Sequence, residues 1–376
     1  MQIRAAVVGA DNEISIQALD LKGPAAHEVL VRIVACGICY TDVKCAASDA
    51  LVKARPVVLG HEGSGIVEAV GSAVTELTPG DHVVMTFASC GVCRSCREAE
   101  PAYCYGQHRL NFGCARPGGG GPYLCDEAGA GVAGDFFGQS SFATFAIGTE
   151  RNVIKVPDDV PLEMLGPLGC GIQTGAGAVL NDLDVRPGNS LAVFGAGSLG
   201  LSAVMAARHA GAGRIIVVDR VRSRLDLALE LGADHAIMAD EADAVQEIMR
   251  LTGEGVDQSL DTTAVAPVMR QAIEALAPRG ICGFVTSPRD GSDLGVPVRN
   301  LLMGRKIRGI VQGNSNPKLF IPFLIELYRQ GRFPFDRLIR FYPFEQIGEA
   351  FDAVRSGEAI KPVLRIGQEI PAERTG

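Results

Sequence analysis

A chain of 376 residues is too long for one compact core and suits two domains. Its formal charge of −8, without any block of Lys and Arg, excludes a surface built for nucleic acid or an anionic membrane. The 47% hydrophobic and 21% charged content is that of a globular protein with a large interior. Met1–Glu13 shows no basic flank leading into an apolar segment, so it does not read as a signal peptide. The longest uncharged stretches, 165–181 and 191–207, are short and studded with glycine, unlike a membrane span. These features predict a cytoplasmic protein, in which eleven cysteines serve as metal ligands or buried thiols rather than disulfides.

The first half reads as β-rich. Gln2–Val8, Glu13–Leu19 and Glu28–Ala35 are short aliphatic runs bounded by turn residues such as Lys22-Gly23-Pro24. Ser64–Val70 and His82–Phe87 continue the pattern, which suits a small barrel or sandwich. The stretch 106–138, with Pro117-Gly118-Gly119-Gly120-Gly121-Pro122, reads as a surface excursion without regular structure. After about Gly169 the texture changes. The strand-like runs Ser190–Phe194, Arg214–Val218, Val256–Asp261 and Gly280–Val285 alternate with helical patterns that reach Ala210 and cover Arg222–Leu231 and Val265–Leu276. That alternation predicts a parallel sheet with helices on both faces. Two amphipathic helices, Pro317–Gln330 and Phe344–Ser356, and a last strand, Lys361–Ile366, close the chain.

The strongest chemical signal is Cys90, Cys93, Cys96 and Cys104, a C-x2-C-x2-C-x7-C cluster. Thiolates so spaced close a tetrahedral zinc site on one loop and leave no position for substrate. Iron–sulfur ligation and disulfide pairing are the rival readings. A second set of metal-binding residues is scattered: Cys39 in Cys36-Gly37-Ile38-Cys39-Tyr40-Thr41-Asp42, His61 in Gly60-His61-Glu62, and Cys170 in Gly169-Cys170-Gly171. Two cysteines and one histidine leave the fourth position of a tetrahedral zinc open to an alcohol or water. Spacing does not join these three, and each taken singly also suits a packed core. The run Gly195-Ala196-Gly197-Ser198-Leu199-Gly200 follows a strand and opens a helix, and Asp219 ends the next strand. In that context the glycines admit a pyrophosphate to the helix N-terminus, while Asp219 accepts hydrogen bonds from a ribose and repels a 2′-phosphate, favouring NAD over NADP. Arg220, directly after it, weakens that preference or is simply a solvated charge.

With these motifs in view, the chain resembles the zinc-containing medium-chain alcohol dehydrogenases, within them the bacterial benzyl alcohol and geraniol dehydrogenases. The segment Gly60-His61-Glu62-Gly63-Ser64-Gly65, with Gly71 after it, is similar to that family's zinc signature. The resemblance implies an α/β protein: a GroES-like β-rich catalytic domain over 1–171 and 312–376, with a Rossmann doubly wound domain over 172–311 between them. It implies a catalytic zinc on Cys39, His61 and Cys170 and a structural zinc on Cys90, Cys93, Cys96 and Cys104, two per chain. It further implies reversible hydride transfer between a primary aryl, allylic or medium-chain alcohol and NAD.

The family's roles carry over residue by residue. Thr41 matches the hydroxyl that takes the alcohol proton, and Asp42 the carboxylate that orients the imidazole; both also suit a helix start. Glu62 matches a residue beside the metal. Lys361 matches a basic residue that reaches the pyrophosphate, its other reading being exposure to solvent. Phe87, Phe136 and Phe137 fall where the family lines its alcohol channel, or are ordinary core aromatics. Gly195, Gly197, Ser198, Leu199, Gly200, Asp219 and Arg220 match the cofactor contacts. Lys44 stands where many members carry a relay histidine, and Tyr40 where many carry a phosphate-binding Arg or His. The expected partners are a small alcohol or aldehyde and further copies of the chain, as a homodimer or homotetramer. Glutathione-dependent formaldehyde oxidation and a non-catalytic zinc and NAD protein are the alternatives on this scaffold.

Overall fold

The computed structural model describes residues 1–116, 123–288, 291 and 293–367. The glycine-rich run Pro117–Pro122 lies outside them. Contacts gather the chain into two units: Met1–Cys170, Pro317–Pro322 and the chain from Leu338 form one, and Gly171–Asn316 with Phe323–Arg337 the other.

The first unit is built on two sheets. Gln2–Val8 alternates exposed and buried residues at its start and then buries four in succession, as a strand does when it turns inward. It pairs antiparallel with Ile14–Leu21 and with Val57–Val58, and Leu124–Cys125 and Gly131–Val132 complete that sheet. The second sheet centres on Glu28–Gly37, eight of whose ten residues are buried. One edge of that strand pairs with Gly63–Val70, and the other with Phe145–Thr149 and Lys361–Arg365. Aliphatic side chains from both sheets share one apolar core with Phe142 and Phe351.

Where this central strand ends, the backbone gathers three distant segments. Gly37 donates to the Glu62 carbonyl at 3.0 Å and Ile38 to the Pro362 carbonyl at 2.9 Å. A Cβ at Gly37 would lie 2.2 Å from Glu62 Oε2, so only glycine permits this approach. Cys39, Glu62 and Lys361 are thereby drawn together. The stretch 106–138 corrects the sequence reading, because it holds the helix Gln107–Phe112, two short strands and the 3-10 turn Phe136–Gly138. Its order comes from a buried amide and from ring contacts, which leave no hydrophobic period to read.

In the second unit six parallel strands stand in the order 3-2-1-4-5-6 when numbered within the unit, the arrangement of doubly wound dinucleotide-binding folds. Ser190–Phe194 is the first and leads through the glycine run into the helix Ser198–His209. Among the described residues, the elements that escaped the sequence reading here include the helices Gly171–Gly177 and Ala244–Thr252 and the strands His235–Met238 and Lys306–Gly309. Phe323–Arg337 also belongs to this unit, whereas the sequence alone groups it with the first. Its reason is packing: Phe323 meets the His209 ring edge-on at 5.8 Å and Arg337 pairs with Glu230. Among the described residues no helix is long and apolar enough to cross a membrane.

Candidate functional site

The helix Tyr40–Ala47 begins at Cys39, and Asp42 in its first turn accepts a hydrogen bond from the Cys39 N–H at 2.9 Å. The same fully buried carboxylate accepts from the Gly60 N–H at 3.1 Å and holds His61 Nδ1 at 3.0 Å. One side chain therefore starts the helix and fixes the imidazole. With Nδ1 so occupied, His61 Nε2 is buried and makes no hydrogen bond. Ligand atoms of Cys39, His61, Glu62 and Cys170 all lie within 4.8 Å of one another. Cys170 is set in place by the turn Gly166–Gly169, whose last carbonyl accepts from Thr86 Oγ1 at 2.6 Å.

A buried imidazole nitrogen without a partner, facing two thiols and a carboxylate, suits a cation. The electrostatics agree. Burial lowers the His61 pKa most strongly of any single cause, but the charge and hydrogen bond of Asp42, joined by Cys39, together outweigh it and raise it to about 10. A hydrogen bond from the Cys170 thiol holds Cys39 well below the usual thiol range, and the same bond, with burial, raises Cys170. Burial also raises Glu62, against the opposing charge of Lys361. The cluster concentrates negative charge in a dry setting, which a divalent ion would neutralise.

Lys361 faces inward. It is 1% exposed, its ammonium lies 2.9 Å from both Glu62 carboxylate oxygens, and it donates to the Ile38 carbonyl at 3.3 Å. Burial opposes its charge, yet Glu62 more than compensates and raises its pKa. A buried carboxylate needs this counter-ion, and the pairing rules out the solvent-exposed reading of Lys361. Thr41 is half-buried, with its hydroxyl 3.8 Å from Cys39 Sγ. Tyr40 is exposed, and Lys44 Nζ lies 5.7 Å from its ring centroid.

Phe136 and Phe137 stand against the imidazole. The Phe137 ring stacks on His61 at 4.4 Å and Phe136 meets it edge-on at 5.4 Å. Phe87 is buried in the apolar core just past the strand His82–Met85. Sequence reasoning placed Gln139 only within a pocket region, Gly138-Gln139-Ser140, and not as the fully buried side chain that ties the site together. Its Nε2 donates to the carbonyls of His61 and Thr86, and its Oε1 accepts from the Gly63 N–H and the Ser141 hydroxyl. Phe112, packed against Phe136 and Phe137, was also missed. A glutamine directly after Phe136-Phe137-Gly138 was the available signal for the first. No sequence signal marked the second.

The four-cysteine loop is a separate cluster, with all four sulfurs within 4.8 Å of one another. Cys90 and Cys96 Sγ lie 3.9 Å apart, close to the roughly 3.8 Å between thiolates on one tetrahedral zinc and far beyond a disulfide bond. Backbone N–H groups of Cys90 and Cys93 point at the sulfurs of Cys104 and Cys90, each at 3.3 Å. Backbone N–H groups, chiefly that of Cys96, pull Cys93 down to about 6, whereas burial pushes Cys96 up to about 12. Four thiolates at this range repel one another unless a cation sits among them.

In the second unit the glycine run makes a tight turn into an uncapped helix N-terminus. Gly195 has φ +98, and a Cβ there would lie 2.5 Å from Thr262 Oγ1, so the tight turn demands glycine. A Cβ at Gly197 would meet no protein atom, and no side chain caps the helix that starts at Ser198. The N–H groups of Ser198, Leu199 and Gly200 thus open onto space a ligand can fill. Asp219 accepts from the N–H groups of Ala196, Arg220 and Val221 at 2.6, 2.7 and 2.8 Å. Arg220 is exposed and pairs with Asp240 at 3.1 Å.

Comparison with known proteins supplies the context. The model of the alcohol dehydrogenase GroES-like domain matches residues 25–158, and that of the zinc-binding dehydrogenases matches 198–327. A geraniol dehydrogenase of Castellaniella defragrans is 48% identical over 353 residues, covering 93% of this chain and 94% of that protein. The structure of an alcohol dehydrogenase zinc-binding domain protein from Burkholderia ambifaria matches with a TM-score of 0.95 at 52% identity, over 98% of this chain and 100% of that one. Benzyl alcohol dehydrogenase from Acinetobacter calcoaceticus matches with a TM-score of 0.93 at 45% identity, over 97% and 99%.

Proposed function

Because the chain belongs to the zinc-containing medium-chain alcohol dehydrogenase family, we propose that it interconverts primary aryl, allylic or medium-chain alcohols and their aldehydes with NAD. The observation that carries this reading is the partnerless Nε2 of His61 among Cys39, Cys170 and Glu62. Two zincs per chain are assigned, one to Cys39, His61 and Cys170 and one to Cys90, Cys93, Cys96 and Cys104. Zinc at the first set supplies Lewis acidity that makes an alcohol hydroxyl easier to deprotonate near neutral pH. NAD supplies the hydride acceptor, and the protein sets the geometry.

The chain's own residues do the rest. Asp42 holds His61 in one tautomer and orientation, leaving Nε2 for the metal. Thr41 stands beside the cluster to take the alcohol proton, and Glu62, anchored by Lys361, borders the ligands. Phe136 and Phe137 surround the imidazole with apolar rings, a setting that suits benzylic and allylic groups; similarity to a geraniol and a benzyl alcohol dehydrogenase supports the same class. Asp219, with Asp240 beside Arg220, makes an unfavourable setting for a 2′-phosphate and supports NAD. We assign the protein to the cytoplasm, where free thiols persist. We also assign it a homodimer or homotetramer, because Val298, Leu302 and Met303 are exposed near the unpaired edge of Lys306–Gly309.

The test is NAD reduction by the purified protein with benzyl alcohol, geraniol, ethanol, or formaldehyde plus glutathione, each with and without a zinc chelator. Chelator-sensitive reduction with the first two is expected. Activity confined to the glutathione mixture would replace the substrate class. Silence with all four, in protein shown to hold two zincs and bind NAD, would reject the assignment.

A further inference from the structure

The four-cysteine loop is tied to the aromatic wall through one buried amide. Its first cysteine, Cys90, follows Ala88 closely, and its last, Cys104, leads into the helix Gln107–Phe112, with the Gln107 N–H on the Cys104 carbonyl at 2.9 Å. Asn111 near the end of that helix is fully buried. Its Oδ1 accepts from the Ala88 N–H at 2.8 Å, and its Nδ2 donates to the Ala88 carbonyl at 3.1 Å and the Gln107 carbonyl at 2.7 Å. The side chain thus pairs with both backbone groups of Ala88 as a neighbouring strand would, and clamps the two ends of the loop. The aromatic segment leans on the same residue, since a Cβ at Gly138 would lie 2.9 Å from the Ala88 Cβ.

Phe112 follows Asn111 directly. Its ring meets Phe137 at 5.1 Å and 71° and Phe136 at 6.0 Å and 74°, edge-to-face in both cases. Those two rings are fully buried against His61, whereas Phe112 is only half-buried and keeps an open apolar surface. The exposed His108 lies one turn back at 5.5 Å. Phe112 packs one side against the apolar core and, at the outer side of two buried rings, leaves part of its ring open for a ligand to meet.

We infer that Phe112 is the third ring of the alcohol-binding wall, and that Asn111 is the positioning residue that makes the cysteine loop set selectivity for flat alcohols over extended ones. This rests on the alcohol dehydrogenase reading above. The helix is too short and too polar to hold its own shape, so the clamp on Ala88 and the loop behind it determine where the ring stands.

The experiment compares kcat/KM for benzyl alcohol and 1-hexanol in the wild type, Phe112→Ala, Phe112→Tyr and Asn111→Ala, with zinc content and melting temperature measured on each. Phe112→Ala should cost benzyl alcohol about tenfold, through KM rather than kcat, and barely affect 1-hexanol, as expected for a lost ring contact. Phe112→Tyr should restore the ratio. Asn111→Ala should shift it in the same direction with both zincs retained. An equal loss on both alcohols, an unchanged ratio, or a change that follows zinc loss would overturn the inference. If the wild type oxidises no alcohol, the parent reading fails separately. Calorimetric titration of benzyl alcohol into the zinc-loaded proteins then decides, and binding unweakened in Phe112→Ala overturns the wall.

Discussion

The two cysteine clusters of the first unit answer one chemical problem in opposite ways. In the loop, four sulfurs come from one short stretch, three of them half-exposed, and backbone N–H groups supply the supporting bonds. Cys39, His61 and Cys170 come from three distant segments, all buried, and each is held by a further side chain or turn. A local chelate needs little from the fold. A dispersed one needs Asp42, Gln139 and the Glu62–Lys361 pair to exist at all, and it can keep a position for substrate.

Substitutions can break this contrast. Cys170→Ala should remove the dispersed site alone: turnover falls on the order of a thousandfold, the worth of several kcal/mol of metal assistance, while metal analysis still finds the loop zinc. Loss of both zincs would show that the clusters are not independent. Thr41→Ala should lower kcat by about a hundredfold or more with zinc content and NAD binding unchanged, if the Thr41 hydroxyl takes the alcohol proton as proposed. Retained turnover would take Thr41 out of the proton path.

Asp42→Asn sharpens the comparison, because the loop has no equivalent residue. It should weaken zinc at the dispersed site by about 10–100-fold, measured by competition with a chelator, and leave the loop ion in place. Cys93→Ser is the smallest change for catalysis. It should lower the melting temperature by about 5 °C or more through the lost structural ion, yet preserve kcat for a straight-chain alcohol in the cold. A collapse of kcat there would mean that the loop takes part in the chemistry.

What the sequence made legible follows the same division. Gln2–Val8, Ser190–Phe194 and Val256–Asp261 were read to their ends because inward-facing strands announce themselves by burial pattern. The edge strand Lys306–Gly309 is exposed along its length and carries no such pattern, so it was missed. The helix Gln107–Phe112 was lost for a related reason, as its order comes from Asn111 and not from an apolar stripe. Within the site, spacing revealed the loop at once, whereas the dispersed ligands were joined only by family resemblance. The burial of Lys361 was not legible, because a lysine's exposure depends on whether a distant carboxylate, here Glu62, needs it. Phe136 and Phe137 sit on a backbone that turns left-handed at Asp135 and Phe137, a conformation that no local pattern foretold.

The compactness of the Cys90–Cys104 loop also bears on how such a protein can change over generations. A metal site written into one short segment can be gained, lost or traded in a single genetic event, because its ligands are inherited together. The dispersed site has no such mobility. Its ligands lie far apart in the gene, and each loses its purpose without the others, so divergence must flow around it, through neighbours such as Phe112 that can vary one at a time.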